Sequence, residues 1–320
     1  MILKQIPEDF IVKEIPGFEE MNGSYSIFLL KKTNYTTEKA IQTICDSLHI
    51  DRKRVGYAGI KDKKAITSQY ISIYKIKKEK VRALALKDIE LEHVSNSKKP
   101  ISLGNLEGNS FGIIIRDLDK NAKINTNKKI KNYFDEQRFS KNNVEIGRAI
   151  LKKDFKKAVD LVLEKKGDYE EKVHAFLDNH PNNYIGALRK VPHKILLLFV
   201  HSYQSHIFNK TIKKINSQKN IKIPLVGFGT EYKDDNVRRI IKEILKKDNI
   251  SERDFVISSM PDLSCEGEER DFYVEPKDLM VSKLEKDDLN KGKYKVRISF
   301  SLSKGAYATN VVKHFFNRNI

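Results

Sequence analysis

Apolar and polar residues alternate with a period of two from Ser24 to Leu30, through Tyr25, Ile27 and Leu29. They do so again from Gln69 to Ile76, where Ile71 and Ile73 are set against Tyr70, Ser72 and Tyr74. That period sends successive side chains to opposite faces and predicts two strands. Between them Ile41, Ile44, Cys45 and Leu48 recur at helical spacing, preceded by Thr36 and Thr37, either of which supplies a hydroxyl for an N-cap. Further strand-like runs extend from Phe111 to Arg116 and through Val296, Ile298 and Phe300, which alternate with Arg297 and Ser299. From about Val144 to Ile215 the spacing becomes helical, with Phe155, Val159 and Val162 in one segment and Leu196, Val200, Tyr203 and Ile207 in another. The β-rich, α-rich, β-rich order predicts an α+β fold whose core is drawn from both ends of the chain, with a mainly helical region between.

Length and charge narrow the function classes. The chain has 320 residues, a net charge of +18, two cysteines and no tryptophan. That length suits about two domains, or one core with a large insertion. The cationic surplus favours a polyanionic partner, because each phosphate neutralised releases condensed counterions. Lysines gather at Lys210, Lys213, Lys214, Lys219 and Lys222, and at Lys120, Lys123, Lys128, Lys129 and Lys131, although solvated helix faces use the same residue. The longest clean apolar run, Ile195 to Val200, is far short of the ~20 residues of a membrane span. The N-terminal segment turns acidic at Glu8 and Asp9 before any apolar signal region forms, so a cytoplasmic protein is expected. Cys45 and Cys265 are far apart, and the eight histidines form no zinc-ligand spacing, so neither a metal site nor a disulfide framework is expected.

Two stretches carry candidate chemistry. In Val55 to Tyr70, Gly56 and Gly59 permit positive φ and close backbone approach, so Lys61 and Asp62 should project from a tight loop between helix and strand; an ordinary exposed turn uses the same residues. Asn132 to Ser140 mixes Tyr133, Phe134 and Phe139 with Asn132, Gln137 and Arg138, the side-chain types that stack on and hydrogen-bond splayed RNA bases. No phosphate-cradling G-x-x-x-x-G-K-[ST] loop exists, which argues against a nucleotide-driven motor. Gly227-Phe228-Gly229 reads as a turn, and Ser202 and Ser205, near His201 and His206 but without a nucleophile elbow, read as helix surface.

Taken together, these stretches resemble the TruD family of tRNA pseudouridine synthases. Pro7-Glu8-Asp9-Phe10-Ile11-Val12-Lys13-Glu14 is similar to that family's opening motif, and Ala58-Gly59-Ile60-Lys61-Asp62 with Ala65, Thr67 and Gln69 to its A-G-x-K-D-x-x-A-x-T-x-Q signature. Gly104 to Phe111, Asn132 to Ser140, Ser205 to Asn209 and Ser303 to Thr309 resemble further motifs, all in family order. Asp135 and Ser140 stand where the family usually has glycine, and 151–190 and 213–256 carry no family motif.

The resemblance implies a pseudouridine synthase fold, α+β, with a mixed, largely antiparallel sheet as catalytic core from residues 1–150 and 290–320 and a mainly helical α/β insertion domain over 151–289. It implies an RNA-modifying isomerase that detaches uracil, rotates it and rejoins it through carbon in tRNA, at uridine 13 of the D arm, without cofactor or metal. Asp62 would be the catalytic carboxylate. An ionised aspartate in a partly dry pocket needs a nearby cation: Lys4 is the candidate, where the family commonly carries a basic residue, with Lys61 the alternative. Phe134 would stack on the target uracil and Asn132 would orient Asp62 or the base. Glu8, Phe10, Gln137 and Arg138 complete the substrate-binding set, and Lys210, Lys213 and Lys214 would hold RNA phosphates. Neither DNA, membrane nor an obligate protein partner is implied. The rival readings are a non-catalytic RNA-binding protein on the same fold and a metal-dependent nuclease using Asp62 with Asp135 or Glu136.

Overall fold

The period-two runs form strands, and the way those strands pair brings distant segments to one end of a sheet. The computed structural model describes all residues except 19–21, 141, 165–166 and 317–320, and only the backbone of Gln137. Among the described residues two compact units result: Met1–Lys128 with residues 275–316, and Lys129–Val274.

In the first unit β1 (Ile2–Leu3), β2 (Phe10–Pro16), β3 (Tyr25–Thr33), β4 (Val55–Tyr57), β5 (Ile66–Tyr74), β6 (Ile89–Ser97) and β7 (Leu106–Leu118) join the later strands Lys277–Val281, Glu285–Lys286 and Tyr294–Ser303. Among the described residues they make one ten-stranded sheet. Its spine runs Lys277–Val281, Tyr294–Ser303, β7, β2, β5, β3, β6, with β1 on β7, β4 on β5 and Glu285–Lys286 on Tyr294–Ser303. Every pairing is antiparallel except β2 with β5, so the sheet is mixed and largely antiparallel as expected. The parallel pair matters most for the site. Ile11 stands opposite Ile66, so the chain entering β2 and the chain entering β5 leave the sheet at the same end. The antiparallel neighbour β3 finishes there too, with Thr33 opposite Ile66.

Helix α1 (Thr37–Leu48) is capped by Thr36, whose Oγ1 accepts the N–H of Lys39 at 3.2 Å. Its Ile41, Ile44 and Cys45 pack on Phe28, Leu30, Ile71 and Ile73 in one buried cluster. On β3 the deepest side chains are Ile27, Phe28, Leu30 and Lys32, while Tyr25 and Leu29 are half-buried. The apolar face expected through Tyr25, Ile27 and Leu29 is therefore only one of two covered faces, because Ile27 packs with Ala58 and Ile101 opposite the α1 layer. Gly56 is a close-approach glycine: a Cβ there would lie 2.3 Å from the carbonyl oxygen of Ile101. Gly59 differs from expectation, since neither glycine has positive φ and a Cβ at Gly59 would meet nothing nearer than Lys61 Nζ at 3.9 Å.

The second unit is mainly helical. Its helices are Asn143–Leu151, Phe155–Leu163, Asp168–Asn179, Tyr184–Leu188, His193–Lys214 and Asp235–Lys247, and two short strand pairings accompany them: Ile130–Lys131 with Tyr273–Val274, and Lys222–Leu225 with Glu268–Asp271. Helix His193–Lys214 runs through its centre and buries side chains around its circumference, including Leu196, Phe199, Tyr203, Ile207 and Phe208. Ser202 and Ser205 are consequently buried, not on the helix surface as their polarity suggested. Each satisfies its hydroxyl on the carbonyl four residues earlier, that of Leu198 at 2.6 Å and that of His201 at 2.8 Å.

Candidate active site

The loop Ala58–Asp62 is clamped through its backbone. Thr37, freed from capping by Thr36, accepts the N–H of Lys61 at 2.9 Å and donates to Gln69 Oε1 at 2.8 Å. Gln69 in turn donates to the carbonyl of Gly59 at 3.0 Å. Lys32, at the end of β3, donates to the carbonyls of Asp62 (2.9 Å) and Tyr35 (2.6 Å). With its backbone so held, Asp62 keeps a partly exposed carboxylate, and Lys4 Nζ lies 2.9 Å from its Oδ1. The two residues are 58 apart in sequence and meet because β2 and β5 are parallel neighbours.

Lys4 adopts φ 56°, in the left-handed region that costs a non-glycine residue about 1–3 kcal/mol and concentrates at functional sites. Its ammonium also sits 4.0 Å from the ring centroid of buried Phe10, a cation–π contact that fixes its direction. Phe10 in turn packs edge-on against Phe111. Lys61 turns the other way and is buried: its Nζ lies 2.5 Å from Glu14 Oε2, a close contact of charges without hydrogen-bond alignment, while Glu14 Oε1 accepts the N–H of Tyr70. Of the two cations considered for Asp62, Lys4 is thus the one in contact. Glu8 is exposed on the short turn Pro7–Asp9.

That turn is pinned from below. Asp9 is fully buried, accepts the N–H of Ile6 at 3.1 Å and receives Arg116 Nε at 2.8 Å. Arg116 Nη1 reaches Asp287 and Asp288, each at 2.8 Å. Burial opposes the charge on Arg116, but hydrogen bonds to Asp288, Asp9 and Asp287 outweigh it and push its pKa further up. Burial likewise works against Asp287. The N–H groups of Asp117 and Leu289, the Asn290 amide and Arg116 still hold its carboxyl well below the usual range.

In the second unit two sequence motifs meet. Asn132 accepts from Arg270 at 2.6 Å and donates to the carbonyl of Asp271 at 3.1 Å. Phe134 exchanges two hydrogen bonds with the Asn209 side chain and packs edge-on against Phe208, with the Arg270 guanidinium 4.1 Å from its ring centroid. Arg138 donates Nε to Ser205. Asn132 to Ser140 is therefore braced by Ser205 to Asn209. Phe134, Arg138, His201, Ser205, Glu268 and Arg270 line part of a cavity of about 400 Å³ within this unit. Burial, then the nearby Arg138, lower the pKa of His201. Gln137's side chain lies outside the described residues. Lys210, Lys213 and Lys214 are exposed at the C-terminal end of their helix, with Lys214 Nζ 3.6 Å from Glu243.

Sequence reasoning missed Lys32, Thr37's second role, Arg116 and Arg270. For Lys32 a signal existed, since the alternation that buries Phe28 and Leu30 continues inward to position 32. Arg270 carried none.

A carboxylate presented from a backbone-clamped loop, with an ammonium on it, on a largely antiparallel mixed sheet, offers the groups that acid–base or nucleophilic chemistry uses. Known proteins specify it further. A profile of tRNA pseudouridine synthase D (TruD) matches residues 1–176, 163–220 and 213–315. A Methanocaldococcus jannaschii protein called "Probable tRNA pseudouridine synthase D 2" is 31% identical over 99% of this chain and 92% of its own length. A Methanococcoides burtonii "Probable tRNA pseudouridine synthase D" is 30% identical over 98% and 92%. A crystal structure from Methanosarcina mazei carrying the same TruD description superposes with a TM-score of 0.71 at 27% identity, covering 99% of this chain and 93% of that one. The chain belongs to the TruD family of tRNA pseudouridine synthases, as its motifs indicated, and is a pseudouridine synthase.

Proposed function

We propose that this enzyme converts uridine 13 in the D arm of tRNA to pseudouridine, with Asp62 as the catalytic carboxylate, acting in the cytoplasm. The Lys4–Asp62 contact in the A-G-I-K-D loop is the observation that carries the reading. An ionised carboxylate with a cation on one oxygen leaves the other free to attack the sugar or to move a proton during exchange of the N-glycosidic bond for a C–C bond. Substrate and product are isomers, so the reaction needs no external oxidant, reductant or group donor.

We assign the chemistry to the sheet-bearing unit and uracil stacking to Phe134, with Asn132, Gln137 and Arg138 as further base or backbone contacts and Glu8 and Phe10 supporting the Asp62 side. Extruding a stacked uridine costs a few kcal/mol, which phosphate contacts must offset. Lys210, Lys213 and Lys214 would supply part of that. Neutralising all three to glutamine is expected to reduce the slope of log affinity against log salt for tRNA by about 2–3, since each phosphate left without its cation lowers it by about 0.7–0.9. An unchanged slope would remove them from the RNA-binding surface.

The direct test incubates the protein with unmodified tRNA transcripts and maps pseudouridine by chemical labelling and primer extension. A new stop at uridine 13, with RNA length and mass unchanged, is expected. A stop confined to another position refutes the assignment of the target. Chain scission abolished by a chelator would favour the nuclease reading.

A further inference from the structure

Lys32 is fully buried, yet a neutral side chain would fill that space without the cost of desolvating an ammonium. Its bonds are specific: Nζ reaches the carbonyls of Tyr35 and Asp62, one just ahead of α1 and the other on the residue whose side chain meets Lys4. Asp62 is thus approached by one ammonium at its carboxylate and by a second at its backbone. We propose that Lys32 is a positioning residue for the reaction, its buried ammonium gripping the Asp62 carbonyl and setting where the Asp62 carboxylate stands. This inference rests on the reading of Asp62 as the catalytic carboxylate.

The charge itself matters. Burial lowers the pKa of Lys32 to about 8; Asp62 pulls it up and Lys61 pushes it down. Its cross-strand partners, Thr67 on β5 and Ile89 on β6, carry no charge, and Glu38 on α1 is engaged by Arg52 and Tyr57. Loss of the proton leaves an amine whose two N–H bonds are no longer charge-assisted, so the grip on the loop weakens. The sign of the linked stability change is distinctive. Between about 8 and 10.5 the folded chain has released a proton that the unfolded chain still holds, so this group's own contribution to stability rises with pH there. Deprotonation of Lys32 by itself therefore does not favour unfolding.

The experiment measures single-turnover pseudouridine formation, tRNA affinity and melting temperature for the wild type, Lys32→Met and Asp62→Asn from about pH 6.5 to 9.5. The wild-type rate should fall about tenfold per pH unit above about 8 while melting temperature does not fall with it. Lys32→Met should bind tRNA within about threefold of wild type, react at least about tenfold more slowly at pH 7, and lack the alkaline limb. A Lys32→Met rate within about twofold of wild type, or an alkaline limb that survives the substitution, overturns the proposal. If Lys32→Met does not fold, Lys32→Gln is measured in its place, and a rate within about twofold of wild type overturns the proposal. An active Asp62→Asn overturns this proposal and the Asp62 reading together, whereas inactive Asp62→Asn beside wild-type-like Lys32→Met overturns this proposal alone.

Discussion

Asp62→Asn is expected to lower pseudouridine formation by about 10³-fold or more while leaving tRNA affinity within about threefold. The amide keeps the shape of the carboxylate, and its oxygen still accepts from Lys4. The loop is held by the N–H of Lys61, the carbonyl of Gly59 and the carbonyl of Asp62, none of which the substitution touches. The Lys4–Asp62 pair is partly exposed, with side chains 17% and 37% accessible, so its loss should alter stability by no more than about 1 kcal/mol. What disappears is the ability to attack the sugar or to take and return a proton. A single-turnover assay paired with filter binding checks this. Retention of more than about a tenth of the rate would dismiss Asp62 as the catalytic group, and loss of binding in proportion to rate would give it a structural role instead.

Arg116→Met should destabilise the first unit by about 3–5 kcal/mol at neutral pH, the range for removing one partner of a buried ion pair. The Asp9 and Asp287 side chains it serves are fully inaccessible, and methionine leaves both facing a vanished cation. The pH dependence follows from the depressed pKa of Asp287. A carboxyl held below its unfolded value contributes stability that is present above the unfolded pKa and lost as pH falls through the folded one. In the variant the Asp287 carboxyl can escape the penalty by protonating, so the gap to wild type should shrink below about pH 4. Urea denaturation at neutral and acid pH measures it, and a neutral-pH difference under about 1 kcal/mol would show the cluster to be dispensable. Catalysis should suffer in the folded fraction as well, since Asp9 anchors the turn between Lys4 and Phe10.

Much of the fold was legible because strands and helices announce themselves in local periodicity. Phe111, Ile113 and Ile115 alternate inward, as do Val296, Ile298 and Phe300, and the helical spacing around Ile41 and Ile44 predicts α1. Periodicity failed where an element is covered on more than one side. On β3 two faces are buried, so alternation through Tyr25 and Leu29 did not mark the deeper one, and on the central helix of the second unit Ser202 and Ser205 lie inside despite their polarity. Within the site, the motif around Asp62 was readable, whereas Thr36 and Thr37 both stayed open as the cap. The structure caps the helix with Thr36, and the threonine left over holds the loop that bears Asp62.

The order of motifs, by itself, determined the family and the loop that bears Asp62, and local periodicity determined the element types. Tertiary structure alone decided which charges meet. Lys61 is Asp62's neighbour in sequence and pairs with Glu14, while Lys4, 58 residues away, reaches the carboxylate. Arg116 finds Asp9 and Asp287 across separations of 107 and 171 residues. Local propensity carries no information at such range. Strand order does, and here the parallel pairing of β2 with β5 brings two distant chain segments to the same end of one sheet.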